Sequence, residues 1–336
     1  MDRDTFARRL ARKELPSVLL FDGPEEYLKQ QALSDLRKAL LPAGLEELNE
    51  TLLEAPETDV IIAAAETLPL MADRRLILLR DYPPLVGRAE ADQRLIDYLP
   101  SVPASSVLLF YCVQKTDARK KLYAAIKKMD GVVSFQPLKD LALTSFVVRA
   151  FQSQGRACDE RTADLLIFIS GGDTARLLSE VAKIAALHPE EPSVSPEDVK
   201  ALAVPSIESR IFSLTDAVVA GQNGKAFSLL RSLLLSGEDR VGILAMLLRQ
   251  YRLLQHVKIM QYEKRGNDFI RQSLGVPAFA AGQYIRQAAS YTGSQVKEAV
   301  RLCLAADEDF KTGRLNPEGG LETVMLKLLM LRKPAP

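Results

Sequence analysis

The sequence has few of the residues that hold metal ions or form disulfide bridges. It contains three cysteines, Cys112, Cys158 and Cys303, and two histidines, His188 and His256. The cysteines are far apart, odd in number and set in apolar segments, which favours buried, reduced thiols over a disulfide framework. No Cys-x-x-Cys pair occurs, although structural zinc sites are built from such closely spaced ligands. The sequence therefore predicts no metal site and no cofactor.

Long apolar runs are also absent. A membrane-spanning helix needs about 18 or more consecutive apolar residues, and no stretch of this sequence reaches that length. The first 16 residues contain Arg and Lys but lack the apolar segment of a secretory signal. We expect a cytoplasmic protein without a membrane partner.

Neither sign of charge dominates the composition. Lys and Arg number 44 and Asp and Glu number 43, which gives a formal net charge of +1. A dedicated duplex-binding protein usually has a basic excess, because neutralising phosphates supplies most of its affinity. Any contact with nucleic acid would therefore come from a local patch or from partner subunits. The near-zero charge also suits a subunit that others cover on several sides.

Before residue 138, short apolar runs alternate with helical segments. The predicted strands are residues 17–21, 50–53, 75–79, 107–113 and 132–135. The predicted helices between them are residues 27–41, 59–68, 89–99 and 117–129. Apolar strands separated by helices predict a mainly parallel sheet with helices on both faces, an α/β fold.

After residue 138 the pattern indicates helices only. They are predicted at residues 140–154, 159–170, 173–187, 196–203, 211–220, 225–235, 240–264, 268–274, 278–289, 294–311 and 321–331. A chain of 336 residues favours two or three domains. We predict an α/β domain at residues 1–138, a small helical domain at 139–205 and a second helical domain at 206–336.

The first strand-to-helix turn, residues 23–30, matches part of a phosphate-binding pattern. A working loop reads G-x-x-x-x-G-K-[S/T], and its glycine backbone and helix N–H groups hold the phosphates. Gly23 and Lys29 have the required spacing, but Leu28 replaces the second glycine. Gln30 stands where a hydroxyl would hold magnesium. The turn is therefore predicted to be a degenerate, non-functional phosphate loop.

Neighbouring residues make the same turn unfavourable for an anion. Pro24 has no N–H to donate, and Glu25 and Glu26 would bring negative charge beside a phosphate. These residues are also typical of a helix start, with Asp22 or Gly23 as the cap and Pro24 in the first position. The two glutamates would complement the helix dipole. We favour this structural interpretation over a nucleotide site.

The acidic half of an ATPase site is missing as well. Such a site needs a strand that ends in an acidic pair, which coordinates magnesium and activates water. Strand 75–79 is followed by RDY at 80–82, and strand 107–113 by QKTD at 114–117. Neither offers the pair, so we expect no catalytic residues and no intrinsic ATPase activity.

Seven short segments together carry a family resemblance. In chain order they are residues 21–28 (FDGPEEYL), 68–76 (LPLMADRRL), 117–123 (DARKKLY), 171–177 (GGDTARL), 211–217 (IFSLTDA), 247–252 (LLRQYR) and 311–313 (KTG). Each is weak alone, but in this order they resemble the delta subunit of the bacterial DNA polymerase III clamp loader. The resemblance extends from about residue 17 to residue 327, nearly the whole chain.

The resemblance implies an AAA+-like, three-domain subunit that lacks ATPase activity. Such a subunit binds the ring-shaped sliding clamp and helps to open it for loading onto primed DNA. It would lie beside ATP-hydrolysing subunits and a stator subunit, with its third domain in a helical collar. Two related loader subunits carry a cysteine zinc module, which this sequence lacks. SFQ at 134–136 also differs from the Ser-Arg-Cys arginine-finger motif.

The resemblance also points to a clamp-binding segment. Residues 67–71 (TLPLM) resemble the short pattern Gln-Leu-x-Leu-Phe, with Thr for Gln and Met for Phe. An apolar pair flanked by charged residues has the character of an interface anchor, and Met can replace Phe because it is flexible and polarizable. From the residues alone, Leu70 and Met71 would more often pack on the domain core. The resemblance favours a clamp-binding site at Leu68, Leu70 and Met71.

Two basic features have less specific interpretations. The helix at 119–128 places Leu122, Tyr123 and Ile126 on one face with lysines outside, which favours a solvated amphipathic helix over a nucleic-acid surface. Arg176 resembles the arginine that contacts phosphates in active relatives. Without a phosphate loop we expect it to form an ion pair.

The helix predicted at 240–264 has a broad apolar face. Its members are Leu244, Leu247, Leu248, Tyr251 and Leu254. This is more apolar surface than one small bundle readily hides, which predicts that the region from about residue 207 carries oligomerisation. The alternative is that all of this face packs inside the chain.

Two further functions stay open from the sequence. One is a nucleotide hydrolase with an unusual phosphate loop, which residues 24–28 disfavour. The other is a different, stator-like loader subunit, which the missing zinc cysteines disfavour.

Overall fold

The computed structural model describes residues 1–188, 190–276 and 278–331. The last five residues of the predicted third domain lie outside the described residues. The chain divides into two compact units, Met1–Pro137 and Leu138–Pro336. The predicted separation of a lid and a collar near residue 205 stays a prediction.

A five-stranded parallel sheet forms the centre of the first unit. Its strands are β1 (Val18–Asp22), β2 (Glu50–Glu54), β3 (Arg75–Arg80), β4 (Ser106–Tyr111) and β5 (Val132–Ser134). They lie in the order β2-β3-β4-β1-β5, and every pairing between neighbours is parallel. The apolar side chains of β1 and β4 are buried on both faces of the sheet. This arrangement confirms the predicted α/β class, because only strands covered by helices on both sides can be apolar throughout.

Seven helices surround the sheet in the first unit. They are α1 (Arg3–Ala11), α2 (Glu26–Leu40), α3 (Glu46–Asn49), α4 (Thr58–Glu66), α5 (Pro83–Val86), α6 (Gln93–Tyr98) and α7 (Lys121–Lys128). The sequence pattern did not predict α1, α3 or α5. In α1 only Phe6 is buried, and it packs edge-on against Phe21 of β1 at 5.2 Å between ring centroids. Tertiary contact, rather than an apolar stripe, therefore stabilises that helix.

The second unit is helical throughout its described residues. Its helices are α8 (Asp140–Ser153), α9 (Glu160–Ser170), α10 (Thr174–Ala185), α11 (Pro196–Leu202), α12 (Ile207–Val219), α13 (Asn223–Leu235), α14 (Arg240–Tyr262), α15 (Asn267–Ser273), α16 (Ala278–Ala289), α17 (Gly293–Lys311) and α18 (Pro317–Met330). The predicted absence of strands after residue 138 is confirmed over these residues.

Helix α14 is the centre of the C-terminal bundle. It packs against α12, α16, α17 and α18. The five apolar residues that were expected to offer surface for assembly, Leu244, Leu247, Leu248, Tyr251 and Leu254, are all buried among these helices. The expectation that these five residues are exposed is wrong, because a helix surrounded on several sides can bury apolar residues over much of its circumference. That the region from about residue 207 carries oligomerisation stays a prediction.

The three cysteines are free thiols. Cys112 and Cys303 are buried as predicted, whereas Cys158 is partly exposed. Burial raises the pKa of all three to about 12. They therefore remain protonated at neutral pH.

Gly23, which follows β1, is required by its backbone and by its surroundings. Its φ is +120°, and a Cβ at this position would overlap the carbonyl group of Phe135. Gly44 also has a positive φ, of +83°, but nothing lies within 4 Å of the equivalent position. A side chain at either position would meet backbone strain, but only at Gly23 would it also meet steric overlap.

We expect Gly23→Ala to lower the free energy of unfolding by more than about 3 kcal/mol, because strain and overlap add. Gly44→Ala, the matched control, should lower it by only about 1 kcal/mol. Urea titration followed by circular dichroism measures both. Equal losses for the two variants would show that the Phe135 carbonyl does not restrict this turn.

Candidate functional site

The turn after β1 lies where a sheet of this kind would bind a phosphate. Ligands of open parallel sheets bind beyond the carboxyl ends of the strands, where the direction of chain connection changes. Here β1 lies between β4 and β5. The backbone of the turn is already bonded to the segment after β5, since Phe135 N–H donates to Asp22 O at 2.7 Å and Glu25 N–H donates to Phe135 O at 3.2 Å.

The predicted cap of helix α2 is wrong, although the helix predicted at residues 27–41 begins within one residue of that position. The helix begins at Glu26 with Glu25 as its N-cap residue, whereas the pattern predicted Asp22 or Gly23 as the cap and Pro24 in the first turn. Asp22 is instead the last residue of β1 and pairs with Ser134 of β5. The strand therefore continues further than its apolar run, and Pro24 lies in the turn.

Lys29, the residue at the position of a phosphate-binding lysine, is enclosed by the protein. Its side chain is fully buried, and its Nζ donates to the carbonyl of Cys112 at 2.5 Å. The same ammonium lies 3.0 Å from Glu26 Oε2 and 5.5 Å from the ring centroid of Tyr111. Lys29 thus makes its ionic and hydrogen-bond contacts within the first unit.

Glu26, which is half-buried, completes the cluster around Lys29. Its Oε1 accepts a hydrogen bond from the Tyr111 hydroxyl at 2.7 Å. Burial acts to raise the pKa of Glu26, but the bond from Tyr111 and the charge of Lys29 outweigh it, and the pKa is lowered overall. Burial and the adjacent carboxylate raise the pKa of Tyr111. At neutral pH Glu26 is therefore a carboxylate and Tyr111 a neutral phenol.

The other two carboxylates at this edge of the sheet also have internal partners. Asp22 accepts from the Thr116 hydroxyl at 2.7 Å and from the Tyr123 hydroxyl at 3.2 Å. Asp81, which follows β3, accepts from the backbone N–H groups of Val113 and Gln114 at 2.8 and 3.0 Å. These carboxylates hold loops together at the position where an ATPase would coordinate magnesium.

Residues of the predicted degenerate phosphate loop therefore lie partly in the domain core. Leu28 is buried, while Gln30 is exposed and donates to Glu26 at 3.2 Å. Across the described residues no group of three or more His, Cys, Asp or Glu side chains is arranged to hold a metal ion. The arrangement around Gly23, Leu28, Lys29 and Gln30 favours structural cohesion over phosphate transfer.

The loop between α4 and β3 has the opposite character, because its apolar side chains face solvent. Leu68 is 78% exposed, Leu70 is 52% exposed and Met71 is 82% exposed. Leu70 and Met71 therefore do not pack on the domain core, which was the alternative interpretation of the sequence. We call residues 67–71 the apolar loop.

The backbone of the apolar loop is tied to the domain by Asn49, the last residue of α3. Its Oδ1 accepts from Leu70 N–H at 2.7 Å, and its Nδ2 donates to Leu70 O at 2.9 Å and to Leu45 O at 3.1 Å. Asn49 itself is fully buried. A buried polar side chain is stable only when it is hydrogen-bonded, and here the partners are the loop and α3.

Two further contacts fix the start of the apolar loop. The Thr67 hydroxyl donates to Ala63 O at 2.8 Å. Arg75, buried at the start of β3, donates to Thr51 Oγ1 at 2.8 Å and reaches the carbonyls of Thr67 and Leu68 at 3.4 and 3.5 Å.

No functional role was predicted from the sequence for Asn49 or Arg75. Their only sequence signal is a polar residue at the edge of an apolar strand, and this signal is not specific. The hydrogen-bond partners of these residues are distant in sequence: Leu70 is 21 residues from Asn49, and Thr51 is 24 residues from Arg75.

The predicted basic helix is amphipathic, which is the interpretation that the sequence favoured over a nucleic-acid surface. Helix α7 begins at Lys121, and Leu122 and Ile126 are buried under it. Lys120 was expected to face solvent but is largely buried, and its Nζ lies 2.8 Å from Glu90 Oε1. It leaves the solvated face because that acidic partner is within reach.

Among the described residues no acidic side chain pairs with Arg176, so the expected ion pair is not found there. It lies in the first turn of α10, where Asp173 Oδ1 accepts from its backbone N–H, and its guanidinium donates to Val204 O at 3.0 Å. The backbone carbonyl supplies the acceptor that a carboxylate was expected to supply.

No helix in the described part of the chain is long and apolar enough to cross a membrane. Two family models match the sequence. "DNA polymerase III, delta subunit" matches residues 19–136, and "DNA polymerase III delta subunit, C-terminal domain" matches residues 208–328. Together the two matches cover more than half of the chain.

Relatives from Bacillus subtilis agree with these matches. The chain is 25% identical to the DNA polymerase III subunit delta of Bacillus subtilis (strain 168) over 331 residues, which is 96% of this chain and 95% of the relative. The solved structure of the Bacillus subtilis DNA clamp loader delta protein has the same fold, with a TM-score of 0.57, 24% identity and coverage of 98% of this chain and 99% of that chain. The predicted family is confirmed: the chain belongs to the DNA polymerase III delta subunit family.

Proposed function

We propose that this chain is a non-catalytic clamp-loader subunit that binds the sliding clamp and helps to open it for loading onto primed DNA. The observation that carries the proposal is the apolar loop, in which Leu68, Leu70 and Met71 are exposed while the loop backbone is hydrogen-bonded to the domain. Exposed apolar anchors on a fixed backbone are the usual basis of strong interface contacts.

The absence of ATPase activity is part of the proposal. The enclosed ammonium of Lys29 supports it, because a phosphate would have to displace Glu26 and the Cys112 carbonyl from that side chain. Asp22 and Asp81 are likewise engaged with loops of the domain. Removing these contacts would leave buried polar groups without partners, which is costly. The cluster around Lys29 therefore disfavours the hydrolase alternative.

The partners follow from the family. A delta subunit would assemble with the ATP-hydrolysing subunits and the stator subunit of the loader, and would meet primed DNA as part of that complex in the cytoplasm. Within this proposal, residues 1–138 bind the clamp, residues 139–205 form a lid and residues 206–336 join a helical collar. A stator-like role for the chain itself is disfavoured by the absence of zinc-binding cysteine pairs from the sequence.

An exposed apolar surface on the C-terminal bundle supports the collar assignment. Leu326 and Met330 lie one helical turn apart on α18 and are exposed. The ion pair between Arg240 and Glu322, 3.6 Å long, links the start of α14 to the same helix. We propose that this face of α18 contacts neighbouring subunits.

Nucleotide binding is expected to be undetectable. Calorimetric titration with ATP and magnesium should give no saturable heat at sub-millimolar nucleotide, while an ATP-hydrolysing loader subunit from the same source should titrate normally. A dissociation constant near about 10 µM, equivalent to roughly −7 kcal/mol, would overturn the non-catalytic assignment.

Replacing both Leu70 and Met71 with Ala should weaken clamp binding at least ~100-fold, since anchors of this kind typically contribute about 2 kcal/mol or more each. The melting temperature should scarcely change, because exposed side chains add little to the core. Surface plasmon resonance on immobilised clamp and a thermal melt measure the two effects.

The matched control for that pair is Ile259→Ala with Tyr262→Ala. Both residues are exposed and lie on α14, in the second unit. The control variant should bind the clamp as the wild type does. Intact clamp binding by the Leu70 and Met71 variant, or a large fall in its melting temperature, would remove the apolar loop from the proposal.

Assembly with the loader should depend on α18. We expect Leu326→Ser with Met330→Ser to reduce co-purification with the ATP-hydrolysing subunits by about tenfold or more, with clamp binding unchanged, because polar groups would replace apolar contact area. Size-exclusion chromatography of the mixed subunits measures assembly. Normal assembly by this variant would place the collar contact elsewhere.

A further inference from the structure

The side chain of Asn49 pairs with both backbone groups of one residue in the apolar loop. Its carboxamide accepts from Leu70 N–H at 2.7 Å and donates to Leu70 O at 2.9 Å. A neighbouring strand would offer a residue the same two bonds. Leu70 is thus held as if it belonged to a sheet, although it lies in a loop that precedes β3.

This pairing holds the backbone that carries the exposed side chains. Two bonds to one residue hold its backbone in place, and the Leu70 side chain is half exposed. Met71 follows with a φ of +52°, in the left-handed region that is unfavourable for residues other than glycine. A strained residue of this kind persists only where its surroundings enforce it, and Asn49 bonds to the residue immediately before Met71.

Asn49 is fully buried, so it offers no side-chain surface to a binding partner. From these contacts we infer that Asn49 is a positioning residue for partner binding, which holds Leu70 and Met71 in their binding arrangement before the partner arrives. The inference rests on the proposed function of the apolar loop. Its physical basis is preorganisation, because a loop that is already ordered loses less conformational entropy on binding.

A purely structural role would use the same hydrogen bonds to stabilise the domain, with no specific effect on binding. The two roles differ in what else changes. A structural residue can be replaced at the expense of overall stability alone. A positioning residue acts through the side chains that it positions, so its effect on binding disappears when those side chains are removed.

The test uses the full-length chain with Asn49→Ala, and Ser106→Ala as the matched control. Ser106 is also fully buried, in β4 of the same unit, and its hydroxyl donates to Ala65 O at 2.6 Å, in α4 and outside the apolar loop. We expect Asn49→Ala to weaken binding to the immobilised sliding clamp about tenfold, and Ser106→Ala to change it less than about twofold. Affinities are normalised to the folded fraction found by circular dichroism.

A double-mutant cycle supplies the decisive comparison. Asn49→Ala is introduced into the variant that carries Leu70→Ala and Met71→Ala. The added change should then weaken the remaining clamp binding by less than about twofold, because no anchors are left to position. A full tenfold effect in both backgrounds would overturn the positioning role.

Amide hydrogen exchange in the free chain tests the inference without the clamp. Asn49→Ala should accelerate exchange at Leu70 by about tenfold or more relative to Leu78 in β3, whereas Ser106→Ala should not alter this ratio. If the Leu70 and Met71 variant binds the clamp normally, the proposed function fails while the exchange result still decides what Asn49 does to the loop. If exchange at Leu70 is unchanged in Asn49→Ala, the inference fails even where the anchors are confirmed.

Discussion

The satisfaction of buried polar groups at the carboxyl edge of the sheet is the constraint on which the N-terminal unit depends. A parallel sheet brings the ends of β1, β3 and β4 together at that edge. In a nucleotide-binding domain, phosphate and magnesium would engage the lysine and carboxylates found there. Here the ammonium of Lys29 lies against Glu26 and a backbone carbonyl, and Asp22 and Asp81 accept bonds from loops. Each contact that replaces a ligand contact also makes the domain more cohesive.

The same physical rule explains the apolar loop. Asn49 and Arg75 are buried, and the carboxamide of Asn49 and one terminal nitrogen of Arg75 meet backbone atoms of the loop. Because the polar atoms of the loop are bonded inward, its apolar side chains remain on the outside. The domain therefore combines an edge whose polar groups are bonded internally with an exposed apolar surface.

Much of the architecture could be predicted from periodicity. The five apolar runs became the five strands, and the helical pattern after residue 138 became a helical unit, because both periods record which side chains must be buried. The predictions failed for helices in which the apolar pattern of the sequence does not show which residues are buried or against what they pack. Helix α1 has a single buried residue, Phe6, and so carries no apolar stripe. Helix α14 has the stripe, but its partners lie within the chain.

The sequence by itself determined that residues 23–30 depart from the phosphate-loop pattern and which family the chain resembles, because both depend on which residues stand at fixed spacings along the chain. The sequence also indicated Leu70 and Met71 as candidate binding residues, although the residues alone could not decide whether these side chains face the core or solvent. Only the tertiary structure decided that, since both side chains are exposed in a loop whose backbone is bonded to Asn49, 21 residues before Leu70. It likewise decided the fate of Lys29, whose carbonyl partner is 83 residues away. The spacing of residues along the chain shows which chemical groups lie near each other locally. The partners of a buried polar group depend instead on which distant segments the fold brings together.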